Sequence, residues 1–415
     1  MVKNLILFTD TYPYGVGEQF IEEELKRLEA YFSNITIVPS MLKKTKRRYI
    51  PKNAICELEL AKRASYTRVG LEAIYFSPLY PELLNRIKIG LHILEYVKIS
   101  YFSGTANLTQ RWLSKYIKRE KIDLDNTIFY TYWLNATTFG IGCLKKEYPN
   151  LKLVSRCHGY DLYEERYNPP YIPFQKETLN DLDRLFLISD HGLRYITKKY
   201  PLITSICTVA KLGVIGVDSL YLSKASDDGI FRVVSCSLAL PVKRLDLLLR
   251  GVAKLAESEP SQIFEWYHLG DGRELKRLKI EASKIHISSL KIHFLGQIAH
   301  NEVLDFYMHN PIDVFINVSA LEGVPVSIME AQSYGIPVIA TAVGGTTEIV
   351  SNLNGKLLSL NPTPEEIAES IGSFLKDKSS TVSKRIESRI NWEINYNAVT
   401  NYKAFIKALQ ECFKN

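Results

Sequence analysis

The sequence has no long apolar run. Nowhere do about 18 apolar residues follow one another, so no membrane-spanning helix is expected. No secretory leader is read at the start either. MVKNLILFTDTYPYG has one Lys, a short apolar run and then Asp10, the pattern of a first β-strand. Cysteine is sparse and scattered. The six residues, Cys56, Cys143, Cys157, Cys207, Cys236 and Cys412, include no C-x-x-C pair. A disulfide framework and a structural zinc site are therefore not expected, and free cytosolic thiols are. Short-period repeats and low-complexity segments are missing too. These absences point to a cytoplasmic globular protein.

What is present fits that class. A chain of 415 residues is too long for one ordinary core, so two domains are expected. Hydrophobic content of 46% and charged content of 23% are ordinary for a folded protein. The net charge of +7 is uneven: residues 1–200 carry 30 Lys and Arg against 22 Asp and Glu, and the remainder carries 22 against 23. The densest basic cluster is KKTKRRY, with Lys43, Lys44, Lys46, Arg47 and Arg48. It suits an anionic surface or an anionic acceptor, and nucleic acid and membrane both qualify. It suits an ordinary solvated loop equally well.

Strands and helices alternate along both halves. NLILFTD, NITIVPS, TIFYTYW, LKLVSRCHG and RLFLIS read as strands, GEQFIEEELKRLEAYF as an amphipathic helix, and residues 70–118 as helical and rich in aromatics. The pattern restarts with FRVVSCS, IFEWYHLGDG, KIHFLG and DVFINVS as strands with helices between them. The expected fold class is α/β, with two doubly wound parallel sheets. The first domain is read over 1–205 and the second over 215–390, with a Gly-, Ser- and Asp-rich change-over near 205–230. A last helix over 395–415 has room to return to the first domain. Ligands of such sheets bind beyond the carboxyl ends of the strands, and a cleft between the two domains is the expected site.

The stretch LEGVPVSIMEAQSYGIPVIATAVGGTTEIV, from Leu321 to Val350, carries the chemistry. Ala320 to Val324 reads as a strand-to-helix loop, and Pro325 suits the first helical position. The free N–H groups of that helix form a site for phosphate. Glu322 lies in the loop, and Glu330 lies on the helix between Met329 and Ala331. A carboxylate in apolar surroundings needs hydrogen bonds, and the vicinal diol of a ribose supplies two. A Lys partner for Glu330 and plain solvation of Glu322 would satisfy them as well.

With the NGKLL that follows, this stretch resembles the C-terminal domain of glycosyltransferase family 4, whose members share the GT-B fold of two Rossmann-like domains. The hallmark is a Glu, seven residues and a second Glu, as in Glu322 and Glu330. The resemblance implies that Glu322 contacts the donor sugar and Glu330 holds the ribose. The backbone of Gly323, Val324 and Pro325 approaches the sugar and diphosphate. SCSLALPVKRLDLLLRG resembles the segment that supplies an Arg and a Lys to the diphosphate. Lys243 matches the Lys, Leu238 stands where the Arg is usual, and Arg244 is the candidate substitute. HLGDGRELKRL and IHFLGQIAHNEV fit the same family, and the loop at Leu295 falls near the base. YPYGVGEQFIEEEL resembles the glycine loop of bacterial polysaccharide-assembly members, with Gly15 and Gly17 close to the donor; a simple tight turn is the plainer reading. SRCHGYDLY carries the family's His–Gly–x–Asp, so His158 reaches the transferred sugar.

The triplets Asp123–Asp125 and Asp181–Asp183 precede strands, where a metal-binding D-x-D would follow one. No metal and no cofactor is expected. The resemblance implies a retaining, metal-independent hexosyltransferase of capsule, exopolysaccharide or O-antigen synthesis. Its partners would be a nucleotide-diphosphate sugar and a glycan or lipid-diphosphate-linked acceptor, with an anionic membrane surface at the inner face of the cell membrane and no nucleic acid. A nucleotide-sugar epimerase of similar architecture and a non-catalytic scaffold member are the alternatives.

Overall fold

Strands covered on both faces read as near-continuous apolar runs, and NLILFT and VFIN are such runs. A computed structural model of the chain describes residues 3–15, 18, 20–43, 47–90 and 92–412, without the side chains of residues 88 and 89. The residues gather into two compact units, Met1–Ala210 with Tyr402–Asn415, and Lys211–Asn401.

The first unit is built on seven parallel strands: β1 (Asn4–Thr9), β2 (Asn34–Pro39), β3 (Ala54–Cys56), β4 (Thr127–Thr131), β5 (Lys152–Cys157), β6 (Arg184–Leu187) and β7 (Cys207–Val209). Their order is β3-β2-β1-β4-β5-β6-β7. Leu5 lies opposite Ile35 on one side and Ile128 on the other. The chain winds one way from β1 to β2 and the other way from β4 onward. The carboxyl ends of β1 and β4 therefore flank a crevice, the usual ligand position of such a sheet. Phe8, Trp112, Phe129, Leu153 and Leu185 fill the core between sheet and helices.

Two features of this unit differ from the sequence reading. The edge strands β3 and β7 have three residues each, too few to show a period. The helical stretch is three helices, Tyr66–Ile74, Leu79–Ile89 and Ile93–Glu120. Pro78 caps the second at its start, and Gly90 ends it at a φ of +94°, a conformation that favours glycine.

The second unit has six parallel strands: β8 (Ile230–Cys236), β9 (Ile263–Leu269), β10 (Leu290–Gly296), β11 (Val314–Asn317), β12 (Val338–Thr341) and β13 (Gly355–Leu358), in the order β10-β9-β8-β11-β12-β13. Here the winding reverses between β8 and β11. Leu248 and Val252 of helix Leu245–Ser258 pack with Trp266, Ile316 and Ile371 in its core. The last stretch is two helices, Lys378–Asn395 and Ala398–Glu411. The break falls at Asn397, whose side-chain oxygen accepts from the Val399 N–H at 2.9 Å.

Candidate active site

In the second unit the site forms where β8 and β11 end. After β8 the chain makes a short turn, Pro241–Lys243, and Arg244 takes a φ of +49° to start helix Leu245–Ser258. After β11 it runs through Ser319 to Val324 into helix Val326–Ser333. The loops are fastened together, because the Ala320 N–H donates to the Val242 carbonyl at 2.7 Å. Lys243 Nζ then reaches Glu322 Oε1 at 2.6 Å, and Asn317 Nδ2 donates to the same oxygen at 3.2 Å. Glu322 is buried. Its carboxylate is held by a Lys 79 positions earlier in the chain and by the last residue of its own strand.

The backbone around Glu322 is fixed from a third side. The Gly345 N–H donates to the Gly323 carbonyl at 2.8 Å. Gly344 has a φ of +51°, and a Cβ there would come within 2.0 Å of the Glu322 carbonyl oxygen. Only glycine permits this approach.

Pro325 occupies the cap of helix Val326–Ser333, with φ −70° and ψ 116°, one residue earlier than the sequence reading placed it. No side chain caps this end, so the first N–H groups keep their donors free of side-chain partners. Val324 and Pro325 are buried beside it. Glu330 lies on the same helix, buried, and its Oε1 is 2.7 Å from His300 Nε2. His300 begins helix His300–His309 and is largely exposed. The sequence reading did not single it out. A His thirty positions away gives no sequence signal for such a pair.

Two candidates are placed differently from this cluster. Arg244 turns its guanidinium onto backbone: Nε donates to the Val318 carbonyl at 2.6 Å, and the two terminal nitrogens donate to Ser319 and Leu360 carbonyls. It secures the loop that bears Glu322. Leu295 is 39% exposed at a slip in the β10–β9 register, where an irregularity re-aims a side chain.

The first unit holds a second polar cluster, at the ends of β1, β4 and β5. Glu18 organises the loop after β1. Its two carboxylate oxygens accept from the N–H groups of Asp10, Thr11 and Tyr12 at 2.7–2.8 Å and from the Trp133 indole at 2.7 Å. Gly15 packs so tightly that a Cβ would meet Thr11 Oγ1 at 1.9 Å. Gly17 lies outside the described residues.

His158 follows β5. It is buried between the rings of Tyr132 and Trp133, at centroid distances of 4.7 and 4.4 Å. Neither ring nitrogen has a hydrogen-bond partner among the described residues, and Nδ1 stands 3.8 Å from Asp161 Oδ2. A buried imidazole with both nitrogens unspent is available to a ligand. Asp161 holds the local backbone by accepting from the N–H groups of His158 and Leu134 at 2.7 and 3.0 Å.

Asp10 completes the cluster. It accepts from Asn135 Nδ2 and from the Tyr160 hydroxyl, each at 3.0 Å. Burial, reinforced by the nearby Glu18 charge, pushes its carboxyl up from 3.8 to about 7. Asp161 is the Asp of the His–Gly–x–Asp motif, whereas Asp10 and Glu18 carry no site assignment from the sequence. The signal of those two is faint, since nothing in the local pattern ties Asp10 or Glu18 to the His158 motif.

Two parallel doubly wound sheets of this kind define the GT-B glycosyltransferase fold. Solved structures of that fold superpose on nearly the whole chain. The lipopolysaccharide outer core galactosyltransferase WaaB covers 99% of each chain with a TM-score of 0.67 and 15% identity. HepE of Anabaena, in complex with UDP, covers 99% of this chain and 100% of its own with a TM-score of 0.65 and 16% identity.

The second unit also resembles known families. Residues 223–392 match the family described as Glycosyl transferases group 1. The O-antigen biosynthesis glycosyltransferase WbnH of Escherichia coli is 28% identical over 164 residues, 40% of this chain and 43% of that protein. The match thus spans less than half the length of this relative.

Proposed function

We propose that the protein is a retaining glycosyltransferase that moves a hexosyl group from a nucleotide-diphosphate sugar to an acceptor hydroxyl. The observation that carries this reading is the Lys243–Glu322 contact at the β8/β11 reversal, with the uncapped start of helix Val326–Ser333 four residues on. A cation and free N–H groups at that crevice suit a diphosphate. Glu322 is the group for the transferred sugar and Glu330 the group for the ribose, with His300 setting the carboxylate's orientation. A UDP complex of HepE supports a nucleoside diphosphate as the leaving group.

In the reaction the acceptor oxygen bonds to the anomeric carbon as the bond from that carbon to the diphosphate oxygen breaks. The acceptor's proton passes to the leaving phosphate oxygen. The products are a glycoside of retained configuration and a nucleoside diphosphate. Lys243 meets the developing charge, which is the task a metal performs in other transferases. The first unit, with His158 and the Asp10 group, is the acceptor side. The acceptor is a glycan or lipid-linked glycan of a surface polysaccharide, met at an anionic membrane face.

A thermal-shift screen of nucleotide sugars tests the donor. A ligand at 100 times its Kd adds about 2.7 kcal/mol of stability. Glu330→Gln is expected to weaken the donor that scores by roughly ten- to hundredfold, since a buried hydrogen bond to a charged group contributes about 1.5–3 kcal/mol. Unchanged nucleotide affinity by titration calorimetry would remove the ribose assignment. Conversion of the sugar in the absence of acceptor would favour the epimerase instead.

A further inference from the structure

The first unit, read above as the acceptor side, contains a cavity of about 320 Å³. Its volume is at the lower end of small-molecule pockets, which run about 300–1,000 Å³. Its two kinds of lining come from different elements. The strand ends supply Asp10, Asn135 and Tyr160, already bonded to one another. The helices supply an apolar wall that includes Ala64, Val69 and Phe102.

Between these stands a cation. Lys98 lines the cavity, and its ammonium lies 4.7 Å from the centre of the Tyr167 ring. It has no carboxylate partner among the described residues. Tyr167 in turn donates its hydroxyl to the Tyr160 carbonyl at 2.7 Å, which ties the Lys98 platform to the Asp10 group.

We propose that this cavity binds an anionic amphiphile: a hydrocarbon chain against the apolar wall, a chain-linked phosphate at Lys98, and a hydroxyl donating to Asp10. The chemistry selects this class. An apolar wall excludes a ligand that is polar throughout. A carboxylate that already accepts from an amide and a phenol takes a further donor, and a sugar hydroxyl is one. A Lys set against an aromatic face, with no carboxylate partner among the described residues, supplies the charge a phosphate needs. Asp10 is deprotonated over only part of the neutral range, which suits a group that exchanges hydrogen bonds with a neutral hydroxyl. The proposal rests on the reading that the first unit holds the acceptor. It narrows that acceptor from a glycan or lipid-linked glycan to one carried on a phosphorylated chain held in this cavity.

The test is titration calorimetry on the full chain with butyl, hexyl, octyl and decyl phosphate below their micelle concentrations. Affinity is expected to rise about three- to fourfold per added methylene until the cavity is full. Alkyl glucosides of the same lengths should follow the same slope at weaker affinity, and Lys98→Met should lower phosphate affinity about tenfold toward theirs. Ala64→Trp, which fills the apolar wall, should flatten the chain-length series. Affinity independent of chain length in the unaltered protein would overturn the proposal, whether or not either variant folds. Nucleotide binding on the same samples separates the two readings. Nucleotide binding without a chain-length slope removes the cavity proposal alone. A slope without nucleotide binding removes the donor reading and leaves the amphiphile site standing.

Discussion

Asp10 is costly to the fold where it is ionised. Its carboxyl titrates at about 7 in the folded protein against 3.8 ordinarily. Between those values the folded state holds a proton that the unfolded chain has released. Stability therefore falls as pH rises from about 4 to about 7 and stays lowered above it. Asp10→Asn keeps a group able to accept from Asn135 or Tyr160 and cannot ionise. It is expected to raise Tm by a few degrees near pH 8 and to leave it nearly unchanged near pH 4, read by calorimetry at both. Transfer to the acceptor should fall in the same variant, the familiar trade between stability and a functional charge. Equal Tm changes at both pH values would show that the carboxylate is not strained by burial. Lys243 presents the opposite case, a cation stabilised by its partner. Removing it leaves the buried Glu322 carboxylate with Asn317 as its one side-chain partner among the described residues. Lys243→Ala is expected to lower kcat by about 10²-fold, the usual cost of one preorganised charge contact in a transition state. Activity near that of the unaltered protein would mean that Lys243 serves only to neutralise Glu322.

At the level of elements, the loops after β8, β11 and β12 act as one assembly, and Gly344 is its tightest point. A Cβ there meets the Glu322 carbonyl oxygen at 2.0 Å, and a φ of +51° strains any other residue. Gly344→Ala is expected to cost more than about 1 kcal/mol in urea unfolding, since residues held in the left-handed region cost about 1–3 kcal/mol. It should also weaken donor binding by displacing Glu322; stability lost with donor affinity unchanged would show that the loop yields elsewhere. The sequence made the α/β class legible because β8, β11 and β12 are apolar runs between amphipathic helices. It showed Glu322 and Glu330 as residues eight positions apart in an apolar stretch. It could not show that Lys243 meets Glu322 or that His300 meets Glu330, since those contacts depend on how β8, β10 and β11 lie in the sheet. The edge strands β3 and β7 escaped for a related reason: three residues hold no pattern, and pairing alone makes them strands. Residues 70–118 read as helical, and the structure divides that stretch at Pro78 and Gly90. Arg244 reads as a spare cation beside Lys243, whereas its guanidinium is spent on the carbonyls after β11.

Over the whole molecule, charge and apolar surface concentrate in the same half of the chain. Residues 1–200 hold 30 basic against 22 acidic residues, and the rest is nearly balanced. Among the described residues, twelve of the exposed large apolar side chains fall between residues 66 and 101, on or beside three consecutive helices. Tyr66 is 86% exposed, Tyr75 75% and Ile93 69%. Single exposed apolar residues need no explanation, whereas a contiguous patch of them marks an interaction surface. On the proposed membrane reading, basic residues suit an anionic bilayer, where each contributes about 1 kcal/mol within a Debye length. The KKTKRRY loop is less uniform than its sequence suggests. Lys43 and Arg47 are exposed, whereas Arg48 stacks on the Tyr12 ring at 4.6 Å and is half-buried; Lys44 and Lys46 lie outside the described residues, as does the side chain of Lys88 beside Arg86. Arg86 is paired with Glu95, so it adds little net charge to the patch. The apolar helices should therefore carry the larger share of membrane affinity, with the basic loop adding a salt-sensitive part. In sedimentation with anionic liposomes the protein is expected to bind at low salt and to be largely released at high salt. Neutralising Lys43, Lys44, Lys46 and Arg47 together, with Arg48 kept, should weaken binding at low salt and spare donor hydrolysis. Leu71→Ser with Ile74→Ser and Tyr75→Ser should weaken binding at every salt concentration, because removing apolar area is not screened. If the protein fails to sediment with liposomes even at low ionic strength, the patch has another partner and the acceptor is met in solution. If the basic variant loses binding equally at all salt concentrations, the loop acts through structure and not through charge.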